Sequence, residues 1–217
     1  MSKPVVASLQ RAESGVLART LAGQAGAHGL YMSINEHLSL DWPRMACMTR
    51  LRLAGDRWHG DVLARADEAL PFSDESFRLV VLEHVLEWTP HAASLLGEAA
   101  RVLEPEGYLA VTGFHPFSLW APWLLCRARL RPMLTAPGWV RQCLAARGFD
   151  ILQVRRCGAA LPVAAARSEN AWLGGAFVLT ARKQQTAIMS LKPIRRVRQE
   201  SGKRQGAWVP GTQRECA

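Results

Sequence analysis

The sequence predicts an α/β fold, a doubly wound and mostly parallel sheet of about seven strands. Three observations predict it. The run Leu79-Val80-Val81-Leu82 is short, apolar and uninterrupted, as expected of a strand covered on both faces. A segment follows in which Ser94, Leu95, Leu96, Ala99, Ala100, Val102 and Leu103 supply the buried stripe of a helix. Pro105-Glu106-Gly107 then stops that helix and turns the chain into a second apolar run, Tyr108-Leu109-Ala110-Val111. Two buried strands joined by a helix make a parallel unit.

The other elements follow in chain order. Residues 8–25 read as a helix with Leu9, Ala12, Val16, Leu17, Thr20 and Leu21 on one face, and Gly23, Gly26 and Gly29 are expected to end it. Leu30 to Ile34 is the first strand. The stretch after it, Asn35-Glu36-His37-Leu38-Ser39-Leu40, contains no glycine. Ala46 to Leu53 is the second strand and a third is expected just before Asp67. From Leu119 to Leu134 the chain is apolar with Arg127, Arg129 and Arg131 interspersed, which suits a substrate lid, a membrane-touching edge or a packed helix. Residues 138–148 form a helix, Phe149 to Val154 the sixth strand and Gly174 to Ala181 the seventh, while Gly158 to Asn170 is Ala-rich and has no evident place.

Length and composition bound the architecture. With 217 residues and 49% hydrophobic content, the chain can bury one substantial core. We expect a single domain over 1–183 and a basic, disordered tail over 184–217. No opening stretch resembles a signal peptide, and no apolar run reaches the roughly 20 residues of a membrane span. The five cysteines are scattered and never spaced Cys-x-x-Cys, so a bound metal or a disulfide framework is not expected and a cytoplasmic location fits. The net charge of +9 is unevenly placed: residues 182–217 hold nine Lys/Arg against two Asp/Glu, leaving 18 against 16 elsewhere. Such a tail is a solvated appendage or a contact for nucleic acid or an anionic membrane surface.

Candidate site residues gather where the apolar runs end. Leu82, Glu83 and His84 close the fourth strand at its carboxyl end, the edge at which open α/β sheets hold ligands. Gly113-Phe114-His115-Pro116-Phe117-Ser118 follows the fifth strand at the same edge, so His84 and His115 are the candidate proton acceptors, or else packing residues.

The order Asp67, Leu70-Pro71-Phe72, Ser76-Phe77, Leu79–Leu82, Val85-Leu86-Glu87, Arg101-Val102-Leu103 and Gly107 resembles the second half of a class I S-adenosylmethionine-dependent methyltransferase, in the "type 11" group that methylates small molecules. Trp88, Gly113-Phe114, Pro116, Ser118 and Ala181-Arg182-Lys183 extend the likeness to small proteobacterial methyltransferase-like proteins. The resemblance implies a Rossmann-like fold whose last strand, Gly174 to Ala181, is antiparallel, and S-adenosylmethionine as cofactor. It further implies that Asp67 accepts from the adenine amino group, although a turn cap ahead of Glu68 is the structural alternative, and that Leu82, Glu83 and His84 border the cofactor. The substrate so implied is a small molecule, and an apolar lid would favour an apolar one.

Three positions depart from that pattern. The family's glycine turn after the first strand is absent, Asp56 stands late for the ribose-binding acid, and Arg78 replaces an Asp after Phe77. If that Asp normally braces the glycine loop, the two losses belong together. The alternatives are therefore a cofactor-free methyltransferase fold that binds a partner, or a nucleic-acid-directed protein using its tail. Against the latter, the body has no Asn-Pro-Pro-Tyr-like base-flipping motif and the chain has only two tyrosines to stack on bases.

Overall fold

A computed structural model describes residues 3–35, 44–126, 133–159 and 174–185 of the chain. Its first half runs α1 (Lys3–Leu21), β1 (Gly26–Ser33), β2 (Met45–Ala54), β3 (Arg57–Gly60) and β4 (Ala64–Arg65). The second runs β5 (Phe77–Glu83), α2 (Ala92–Val102), β6 (Leu103–Phe114), α3 (Trp120–Cys126), α4 (Pro137–Ala145), β7 (Phe149–Cys157) and β8 (Ala176–Lys183). The expectations for residues 36–40, for Arg127, Arg129 and Arg131, for most of the Ala-rich stretch and for the tail beyond residue 185 lie outside the described residues.

The eight strands form one sheet in the order β4-β3-β2-β1-β5-β6-β8-β7. Strands β2, β1, β5 and β6 are mutually parallel, and β8 runs antiparallel between β6 and β7. The parallel β5–α2–β6 unit and the antiparallel last strand are as the sequence predicts.

Side-chain alternation along the strands builds a core on each face. Leu30, Met32, Val80, Leu82, Leu109 and Val111 point to one side and meet Leu95, Leu96, Ala99 and Val102 of α2 and Val140 and Leu144 of α4. Tyr31, Leu79, Val81 and Ala110 point to the other and meet Leu9, Val16, Leu17 and Leu21 of α1 and Trp120 and Leu124 of α3. Strand β5 is buried on both faces from Leu79 to Glu83, which is why its run is unbroken.

Four details correct the sequence reading. Gly26 and Gly29 lie inside β1 and do not end the helix. A Cβ on Gly26 would come 2.6 Å from side-chain carbons of Arg78, and one on Gly29 2.4 Å from the sulfur of Met48. Glycine admits those neighbouring side chains. The expected third parallel strand is instead the antiparallel pair β3 and β4 at the sheet edge. Pro105-Glu106-Gly107 is not a separate turn but a loop-out within β6: Phe77 pairs with Leu103 and Leu79 already with Tyr108, while Glu106 takes a left-handed φ of 63°. Arg78, next to Leu79, lies at the amino-terminal end of β5 with its guanidinium 5.7 Å from the Tyr108 ring, whereas Asn35 follows the opposite end of β1. It cannot substitute for a residue that braces the loop after β1.

Candidate functional site

Helix α1 carries an acid where its pattern calls for an apolar residue. Leu9, Glu13, Val16 and Leu17 share one buried face, and Glu13 has no exposed surface. A buried carboxylate needs donors. Glu13 finds one in His84: its Oε1 lies 2.8 Å from Nε2 of the imidazole. On the other side, Nδ1 of His84 lies 2.9 Å from Oε2 of Glu87. The second oxygen of Glu87 accepts from the backbone N–H of Phe114. His84 itself sits just past β5 with φ of 54°, a left-handed conformation that costs about 1–3 kcal/mol in a non-glycine residue and persists because the two carboxylates fix the ring.

A second carboxylate cluster adjoins the first. Tyr31 and Ser33 of β1 both donate to Oε2 of Glu83 at the end of β5, with Ser33 at 3.0 Å. Ser33 Oγ in turn accepts from the N–H of Asn35 at 3.0 Å, so the chain leaving β1 is anchored to this cluster.

Burial alone would lower the His84 pKa, but the paired charges and hydrogen bonds of Glu13 and Glu87 outweigh it and hold it well above the ordinary histidine value. Burial raises the Glu13 carboxyl, with His84 opposing that rise. His84 is thus an imidazolium clamped between two acids, with both ring N–H groups in use. Burial, and then the neighbouring Glu83, also push Tyr31 up, so its hydroxyl stays protonated and donates.

Beside this network lies a cavity of about 420 Å³. Leu9, Leu53, Trp88, Phe114 and Leu124 give it apolar and aromatic walls, and Gln10, Asn35 and His84 are its polar lining. The cavity opens at the carboxyl ends of the strands, where the chain leaves β1 toward β2 on one side and leaves β5 toward β6 on the other. Doubly wound sheets bind ligands at that divide. Its volume falls within the roughly 300–1,000 Å³ of small-molecule sites.

The predicted site residues divide. His84 reaches the cavity. Glu83 lies behind it with both its donors made, and the Leu82 side chain is fully buried in the core on the α2 side. His115 is buried one residue beyond Phe114; its Nδ1 accepts from the Phe117 N–H at 3.3 Å, and burial, then Arg156, holds its pKa below the ordinary value. Asp67 is not in the cavity. Its carboxylate is exposed and held by Arg65 at 2.9 and 2.7 Å, and it borders a separate pocket of about 210 Å³ with Trp58, His91 and Glu98. Asp56 is exposed in the turn between β2 and β3. Among the described residues no cluster of His, Cys, Asp and Glu could hold a metal ion.

The sequence reading missed Glu13, Tyr31, Ser33 and Gln10. Glu13 alone had left a signal, an acid four residues after Leu9 and three before Val16 on an apolar stripe.

Comparison with known proteins agrees with the fold. A methyltransferase domain family matches residues 21–111. The crystal structure of the N-methyltransferase NodS from Bradyrhizobium japonicum WM9 with S-adenosyl-l-homocysteine superposes with a TM-score of 0.54 at 18% identity, covering 81% of this chain and 87% of that one. The fold is that of a class I methyltransferase. An S-adenosylmethionine-dependent methyltransferase from Mesorhizobium loti shares the methyltransferase fold with a TM-score of 0.53 at 14% identity, over 79% of this chain and 98% of that one. In sequence, the uncharacterized protein YafS of Escherichia coli (strain K12) is 45% identical over 49 residues, 23% of this chain and 20% of that protein. Phthiotriol/phenolphthiotriol dimycocerosates methyltransferase 1 of Mycobacterium ulcerans is 40% identical over 78 residues, 36% of this chain and 27% of that enzyme. The matched segments thus span only about a fifth to a quarter of these curated relatives. Among the described residues no carboxylate lines the cavity, and Glu13, Glu83 and Glu87 stand behind its wall.

Proposed function

We propose that the chain is an S-adenosylmethionine-dependent methyltransferase acting on a small, apolar molecule. The observation that carries this reading is the cavity at the β1/β5 divide, walled by Leu9, Leu53, Trp88, Phe114 and Leu124. Its position and size suit the cofactor, and its walls suit both the adenine ring and an apolar substrate. The name of the Mycobacterium ulcerans relative, an enzyme of dimycocerosate lipids, supports an apolar substrate as well. Gln10 and Asn35 would supply hydrogen bonds to the cofactor's polar groups, and Trp88 an aromatic face. When bound, the cofactor supplies the electrophilic methyl group. The chain's own part is to hold the two reactants in line in a site that excludes water.

His115 has a lowered pKa, held down by burial and then Arg156, but it is not among the residues that line the cavity, so it is not assigned as the proton acceptor. His84 keeps both nitrogens bound to carboxylates and positions the cavity wall.

Titration calorimetry with S-adenosylmethionine and S-adenosylhomocysteine tests the proposal. We expect binding in the range of tens to hundreds of micromolar, weakened by about 1–2 kcal/mol in Trp88→Ala or Asn35→Ala. Asp67→Ala should leave binding unchanged; a loss there would move the adenine ring to the smaller pocket. Silence at millimolar cofactor would favour a fold that has given up the cofactor and binds a partner.

A further inference from the structure

The three buried acids stand one side chain behind the cavity wall, and each is tied to a residue of that wall. Glu13 and Glu87 bond to the two ring nitrogens of His84, which lines the cavity. Glu87 also accepts from the N–H of Phe114, a second lining residue. Glu83 reaches a third, Asn35, through the Ser33 hydroxyl, which donates to the carboxylate and accepts from the Asn35 N–H.

Charge does not balance behind the wall. The donors to these acids are one imidazolium, shared by Glu13 and Glu87, and the neutral groups of Tyr31, Ser33 and the Phe114 backbone. Burial raises the Glu13 carboxyl, His84 opposes that rise, and the charges of Glu83 and Glu87 add to it, so the three acids act on one another. Whether Glu13 is counted as neutral or as charged, carboxylates exceed the imidazolium by one or two charges. All three acids are buried, where salt screens them little. A buried surplus of this kind costs stability unless a positive group offsets it. The aromatic walls, Trp88 and Phe114, act in the same sense, because a ring face attracts a cation.

We propose that Glu13, Glu83 and Glu87 make the cavity a site for a ligand with a positively charged centre, so that it holds the sulfonium S-adenosylmethionine in preference to the neutral thioether S-adenosylhomocysteine. The identity of that cation rests on the methyltransferase reading, which the inference deepens: a product that has given up its charge is held less tightly. The two ligands differ by one methyl group and one positive charge. At the effective dielectric of a protein interior, a unit charge within about 8 Å changes the affinity for a second charge by roughly tenfold or more.

Titration calorimetry of the full chain with each ligand, at pH 7 and fixed ionic strength, measures the preference. The wild type should bind S-adenosylmethionine about tenfold more tightly than S-adenosylhomocysteine. Glu13 and Glu83 each accept through one oxygen, so Glu13→Gln and Glu83→Gln keep an acceptor for the same donors. Glu83→Gln should cut the preference to about threefold or less and leave affinity for S-adenosylhomocysteine within about twofold. Equal or tighter binding of S-adenosylhomocysteine by the wild type would overturn the proposal, and that measurement needs no variant to fold. So would a preference unchanged in both variants. Silence toward both ligands at millimolar concentration counts against the cofactor reading, and tetramethylammonium then decides the charged site. It should raise the wild-type melting temperature above that in sodium at equal ionic strength, and raise it less in Glu83→Gln. No difference between the two ions in the wild type would overturn the proposal.

Discussion

His84 shows how little a residue's type says about its job until its neighbours are known. Both its nitrogens meet carboxylates, and removing the ring by His84→Ala would leave Glu13 and Glu87 buried and unpaired. We expect a loss of about 3–5 kcal/mol in urea unfolding at pH 7. The pH dependence has a definite sign. The folded-state pKa of His84 is raised above the unfolded value of 6.5, so in that interval the native state binds more protons than the unfolded one. The stabilisation is complete below pH 6.5 and is lost as pH rises through the folded pKa. Glu13 is also raised and acts in the same direction. Stability should therefore decline on the alkaline side in the wild type, and in His84→Gln the part of that decline due to the imidazolium should be gone, leaving only that of the buried Glu13 carboxyl. Glu13→Gln, which keeps the acceptor and removes one charge, should begin that decline at lower pH.

At the scale of elements, the loop from Leu70 to Asp74 is held by one side chain of α2. Arg101 donates to the carbonyls of Phe72 at 2.9 Å and Leu70 at 3.0 Å, and to Glu98 and Asp74. Glu98 in turn accepts from the Leu70 N–H at 2.8 Å. Arg101→Ala should cost about 2–3 kcal/mol, measured by denaturant unfolding, with Arg101→Lys recovering only part because a lysine cannot fork to two carbonyls. This explains in physical terms why the segment from Leu70 to Arg101 was readable: its residues serve one another locally. The strands β5 and β6 and the helices α2 and α4 were legible for a related reason, since each carries its own periodicity. The antiparallel β3 and β4 were not, because two- and four-residue edge strands leave no pattern to detect. Nor were the acids of the buried network, which are matched by partners fifty to seventy positions away.

Taken whole, the chain divides into two units. Residues Met1–Thr186 form a compact unit, and Ala187–Ala217 a second. With no apolar period in the second, we expect removal of 187–217 to shift the melting temperature by no more than about 2 °C while cutting adsorption to RNA at low salt. A large fall in melting temperature would show that this segment packs on the first unit. Within that unit the joint between Glu13 and His84 spans 71 positions of sequence. Its consequence appears during synthesis. At roughly 5–20 residues per second, α1 leaves the ribosome about 4–14 s before the residue that will neutralise it. For that interval a helix of 19 residues carries an apolar stripe with an acid in its middle, a mark that weakens its appeal to other nascent chains. The carboxylate that the finished protein buries is thus, earlier in its life, a guard against aggregation.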